Sequence, residues 1–284
     1  MKLTTRIGLA ACAILGAAVP ASANHSWGGY HWANGTTGQL VVKRALSSAN
    51  WTTLVNAAMA DWQGKPLSFA ITDAPAGTSR RKCSPSSGQT LICNDSYGQR
   101  GWLGIASIWA SGVHITQATT KLNDTYFNMT RYNDDAWRRM VACQEVGHNW
   151  GLDHQDEAFG NVNLGTCMDY TNAPAGGVYN NFNYGPSNVR PNNDDYSHLT
   201  GFYNHPDSIA AATNFGVREV GRPVISDVPA GFNSAVGETA AEWGRAIHRD
   251  SKGRPDVFEK DFGNGFRRLT HVFWALEARG NEAN

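Results

Sequence analysis

A chain of 284 residues is long enough for one good-sized domain and an appendage. Its 24 basic and 24 acidic residues cancel, so no charge excess is available to recruit nucleic acid or an anionic membrane surface. Charged residues make up only 17% of the chain, while Gly (30) and Trp (10) are abundant, which suits a loop-rich exported protein better than a cytosolic helical one.

The first 23 residues read as a secretory signal. Lys2 and Arg6 supply the positive start, residues 7–19 are apolar, and Ala21-Ser22-Ala23 is a small-residue cleavage site. The apolar run is too short to cross a bilayer. The mature chain is expected to start near Asn24, to be secreted (extracellular or periplasmic), to lack a membrane span and to be a monomer. Four cysteines remain, Cys83, Cys93, Cys143 and Cys167, and an even number in an exported chain points to two disulfides. Three pairings are open, and the short Ser/Gly-rich loop between them favours Cys83–Cys93.

Residues 24–35 mix aromatics with glycines and are expected to lead into a first strand, with His25 and His31 structural or exposed rather than ligands. A short strand follows at 40–42. Asn50-Trp51-Thr52 opens a helix to Trp62, with Leu54, Ala57, Ala58 and Trp62 at helical spacing. Strands are expected at 67–72, 101–110 and 113–121, the last two joined by a turn at Ser111-Gly112. Asn133-Asp134-Asp135 offers an N-cap for a helix running to about Trp150.

That helix ends in the stretch Cys143 to His154, C-Q-E-V-G-H-N-W-G-L-D-H. Residues four apart share a helix face, so Gln144 and His148 point the same way with Glu145 beside them. Gly151 can take the backbone angles that end a helix and turn the chain, bringing His154 to the same centre. Two imidazoles and a carboxylate so placed suit a divalent metal that activates water.

The stretch 144–154, followed by Cys167-Met168-Asp169-Tyr170, resembles the metzincin zinc proteases, whose motif is H-E-x-x-H-x-x-G-x-x-H with a Met-turn after it. The chain departs from the pattern at its first histidine, which is Gln144. The resemblance implies an α+β fold for residues 24–206: a twisted, mostly parallel sheet with an antiparallel edge strand, a long active-site helix, a Met-turn and a C-terminal helix. It implies one catalytic Zn2+ on His148 and His154, Glu145 as general base, Gly151 at the turn, and Met168 packed beneath the site. Tyr170 would either coordinate the metal at rest or donate to the oxyanion. A Cys143–Cys167 disulfide is implied as well, because in that family the two segments lie close together. The region 114–121 resembles the exposed edge along which extended substrate binds.

For Gln144 three readings stand side by side. It coordinates through its amide oxygen; or Tyr170, Asp153 or Asp156 completes the ligand set; or the site is degenerate and the protein binds extended peptides or a surface polymer without cutting them. The first two make the chain a zinc metalloendopeptidase acting on protein or peptide. Asn/Asp-rich loops leave Ca2+ open as a second cation, with no ordered loop motif behind it.

Residues 171–195 are irregular, and 194–204 read as a closing helix anchored by Leu199 and Tyr203, with His198 structural. Residues 207–235 read as a linker. In 236–284, Lys252-Gly253 and Asn264-Gly265 are turn signals for two or three hairpin strands. This small C-terminal extension is too small to bury a large core alone and carries no catalytic pattern.

Overall fold

The computed structural model describes residues 25–33, 40–64, 66–204 and 228–278. The signal at 1–23 and residues 207–227 of the expected linker lie outside them. No helix among the described residues is long and apolar enough to cross a membrane.

The fold is mixed α/β, built on one sheet of nine strands among the described residues. In chain order these are β1 (His31–Trp32), β2 (Leu40–Ala45), β3 (Phe69–Asp73), β4 (Gln89–Asp95), β5 (Trp102–Ser111), β6 (His114–Asn123), β9 (Arg245–Arg249), β10 (Pro255–Gly263) and β11 (Phe266–Trp274). A separate two-stranded ribbon, β7 (Val178–Tyr179) with β8 (Phe182–Asn183), stands between them in sequence. The spatial order is β3-β2-β4-β6-β5-β11-β10-β9, with β1 pairing β6 ahead of β4. Pairings among β1, β2, β3, β4 and β6 are parallel; those of β5, β11, β10 and β9 are antiparallel.

This order corrects one expectation. The 114–121 region is not an exposed edge: β6 has β4 and β1 on one side and β5 on the other. β11 in turn pairs with β5 from Phe266↔Ser111 to Trp274↔Trp102, and the antiparallel strand at the sheet's edge is β9. The C-terminal extension continues the main sheet. Its hairpin turns on Asn264-Gly265, both at positive φ (53° and 79°), the geometry that the Asn-Gly pair tolerates best. The strand β4 was not anticipated. Its residues fall at the end of the disulfide loop, and the Sγ atoms of Cys83 and Cys93 lie 2.09 Å apart.

Two helices cover one face. Helix α1 (Ala49–Trp62) is capped by Ser48, whose hydroxyl accepts from the Trp51 N–H at 3.2 Å. Helix α3 (Asp135–Asn149) is capped by Asp134, which accepts from the Trp137 N–H at 2.8 Å. A short helix α2 (Asp124–Phe127) precedes it, and α4 (Asn193–Tyr203) closes the domain behind a capping box of Asn192 and Asp195. Alternation along the strands builds two cores. Leu269 and Phe273 of β11 join Ile108, Val141 and Met168 on the helix side. Ile105, Trp109, Val272 and Trp274 meet Phe232, Trp243 and Phe258 on the other.

Candidate metal centre

Helix α3 lies directly over β5. A Cβ at Gly104 would stand 2.7 Å from Val141 Cγ1 and 2.8 Å from Glu145 Cγ, so only glycine lets the helix bring Glu145 this close to the strand. The helix stops at Gly151, where φ is +98° and an added Cβ would meet the Tyr30 carbonyl oxygen at 1.9 Å. Both the left-handed angle and the lack of space require glycine there. The exit turn is fastened by the His148 ring itself, whose Nδ1 is 2.8 Å from the Leu152 carbonyl. A carbonyl can only accept, so Nδ1 carries the proton and Nε2 a lone pair. Beyond the turn, His154 Nδ1 meets Glu157 Oε1 at 3.1 Å.

The third imidazole comes from the extension. His271 of β11 is paired with Ala106 of β5, 126 residues downstream of Glu145, and reaches Glu145 Oε2 with Nδ1 at 3.2 Å. Its Nε2 is 3.1 Å from the Tyr170 hydroxyl. Ligating atoms of His148, His154 and His271 all lie within 4.8 Å of one another. Tyr170 stacks on Phe159 (4.7 Å) and has its ring 4.4 Å from that of His154.

Every group here is shielded from solvent: Glu145, His148 and His271 are 0% exposed, Tyr170 1% and His154 7%. Burial therefore dominates the electrostatics. It pushes the Glu145 carboxyl well above the ordinary range, against a small opposing pull from the Ala106 N–H. It holds His148 and His271 well below theirs, and neighbouring imidazoles push the same way. Burial thus works against the charged forms of both Glu145 and His271, despite their contact. His154 is the exception: burial acts to lower it, but the Glu157 hydrogen bond and the charges of Asp153, Glu157 and Asp256 outweigh that, and it is raised. Burial raises the Tyr170 phenol as well.

These residues fit a metal. The Nε2 atoms of His148 and His154 are buried without a partner, as is Glu145 Oε1. Two of the three rings have Nδ1 held by an acceptor, which fixes the tautomer that leaves Nε2 free, as outer-sphere partners of zinc histidines do. Neutral imidazoles are the donors zinc prefers.

Gln144 donates from its amide nitrogen to the Cys167 carbonyl at 2.7 Å, and its Oε1 is buried without a partner. The third imidazole stands at 271 rather than at position 144. Met168 packs under α3, its Sδ 2.5 Å from where a Gly147 Cβ would be, and the Sγ atoms of Cys143 and Cys167 lie at disulfide distance, 1.97 Å. Asp153 lies 3.7 Å from His154 Nδ1, while Asp156 is turned to Asn161 and the Ala158 N–H. The residue that sequence reasoning missed is His271. Its trace is a histidine in F-R-R-L-T-H-V-F-W, on the strand face that also carries Leu269 and Phe273 of the helix-side core.

No family model matches the sequence, and no curated protein matches it either. Among solved structures, the chain is similar to high choriolytic enzyme 1, a hatching-enzyme zinc-protease from the medaka fish Oryzias latipes. Identity is 12%, over 61% of this chain and 94% of that one, with a TM-score of 0.32. A likeness this loose carries no argument about what this chain does.

Proposed function

We propose that the chain is an exported, zinc-dependent endopeptidase of the metzincin type. The observation that carries the reading is the gathering of three imidazoles around the Glu145 carboxyl, with two Nε2 atoms buried and unpartnered. His148, His154 and His271 would hold the ion. Zinc bound there would polarise a peptide carbonyl and make a water more acidic. Glu145 takes the proton of the attacking water and hands it to the leaving amine. Burial raises that carboxyl, which makes it the stronger proton acceptor. Tyr170 directs its O–H at the developing oxyanion. Gly104 and Gly151 set where these groups stand.

His271 reaches the centre on β11, which pairs with β5 along its length. Val272 and Trp274 are buried with Trp109, Phe232, Trp243 and Phe258, and each large side chain so buried contributes about 1.5–3 kcal/mol. The strand that would supply the third ligand is therefore held firmly in the sheet.

One observation favours a second reading, a zinc-binding protein without catalysis: the centre is shielded on all sides, as structural zinc sites are. The two separate on the intact zinc-loaded protein. It should hydrolyse a denatured protein, and a chelator or Glu145→Gln should abolish that. Should the protein hold zinc yet show no hydrolysis above the Glu145→Gln background, the centre is structural.

A further inference from the structure

A second group of ligating side chains lies on the far side of the exit turn. His25, from the start of the described chain, meets Asp194 and His198 of α4, with ligating atoms within 4.8 Å of one another. The His25 ring is buried, 2% exposed, and its Nδ1 is 3.2 Å from the Asp153 carbonyl. Because that carbonyl only accepts, Nδ1 carries the proton, and burial opposes a second proton on the ring. Nε2 then presents a lone pair.

What that lone pair faces is carboxylate. Asp194 Oδ2 is 3.1 Å away and Asp195 Oδ1 4.0 Å. The carboxylate is within ion-pair reach of His25 Nε2, but the contact lacks the alignment of a hydrogen bond. A second imidazole crowds the same point: the His198 ring is centred 3.8 Å from that of His25, and its Nε2 is 3.8 Å from Asp194 Oδ2. Three electron-pair donors converge with nothing between them. A proton on His25 would satisfy Asp194 but set a cation against the neighbouring ring. A divalent cation satisfies all three donors at once. The design repeats that of His148, with Nδ1 tied to a carbonyl and Nε2 open. The side chain of Asp194 is 58% exposed, which leaves room for water to complete a four-coordinate shell.

We propose that His25, Asp194 and His198 form a second divalent-metal site of the zinc class, separate from the buried centre. Its place suggests its work. The His25 segment is laced to the exit turn by Trp27 N–H to Gly151 O and Asp153 N–H to His25 O, both 2.8 Å. An ion here clamps the first residues and α4 onto the turn that presents His154. Being open to solvent on one side, it exchanges faster than the buried site.

The test counts zinc. Metal-free full-length protein is dialysed against Zn2+ alone, and bound metal is measured by elemental analysis for wild type, His198→Ala and Asp194→Asn. Both substitutions sit at partly exposed positions of α4, and helical circular dichroism confirms that the fold is kept. Two zincs in wild type and one in each variant is the expected result, with a smaller zinc-induced rise in Tm in the variants. One zinc in all three, or two in all three, overturns this proposal and leaves the buried centre standing. One in wild type and none in the variants keeps this site and removes the buried one instead.

Discussion

The buried centre has two unlike halves. The motif half, His148 and His154, comes from one helix and its exit turn, with each Nδ1 anchored and each Nε2 unpartnered. The strand half, His271, is delivered by a distant stretch of the chain with both nitrogens engaged, one by Glu145 and one by Tyr170. Local sequence positions the first half and tertiary pairing supplies the second. On the proposed function, tertiary pairing also ties a candidate ligand to the candidate base, so that loading the site would rearrange the Glu145–His271–Tyr170 chain of contacts.

The sharpest way to break this division is Glu145→Gln. On zinc-loaded protein it should lower hydrolysis by roughly 10²–10⁴-fold while zinc content stays constant. Loss of zinc together with activity would make Glu145 a ligand rather than a base. Next comes a direct contest between the two candidates for the third ligand. His271→Ala should weaken zinc binding at least ~100-fold, more than removal of a typical outer-sphere partner, and Gln144→Ala should weaken it less. The reverse order, read by competition with a chromophoric chelator, would return the third ligand to position 144.

A smaller effect tests the seat of Glu145. Gly104→Ala forces a methyl group against Val141 and Glu145, and overpacking of this kind costs about 1–3 kcal/mol, visible as a shifted urea midpoint at constant slope. An unchanged midpoint would mean that α3 can ride up from β5 freely.

The smallest expected effect is on pH dependence. His248 of β9 is raised to about 9, first by its hydrogen bond to Asp256 at 2.8 Å. Because the folded value lies above the unfolded one, the stabilisation is complete below about pH 6.5 and is lost as pH rises through 9. Wild-type Tm should therefore fall between pH 6.5 and 9 by more than that of His248→Gln. Half-exposed as it is, the pair contributes modestly. Parallel curves for the two proteins would show that it contributes nothing.

Whatever is local was legible. The Asp134 cap, the stop at Gly151, the spacing of Glu145, His148 and His154, and the Asn264-Gly265 turn are each decided by residues within a few positions of one another. What escaped depends on distant partners. Nothing in Gln89–Asp95 distinguishes the end of a loop from a strand buried between β2 and β6. Nothing in Phe266–Trp274 names β5 as its neighbour, although nine residues of register follow from that choice. His271 falls between Leu269 and Phe273 on one face of its strand, but what it can do there is decided only once β11 is seated. Gln144 was weighed as a ligand because the motif's spacing was visible and the replacement imidazole was not.

The placement of His271 also orders events during biogenesis. Synthesis runs from the N-terminal side, so Glu145, His148 and His154 leave the ribosome well before the strand that completes their ring. Until that strand docks, the half-built centre has two imidazoles and no third, and chains terminated before residue 271 never obtain it. The three-imidazole cluster thereby reports that translation has passed β11 and that β11 has docked.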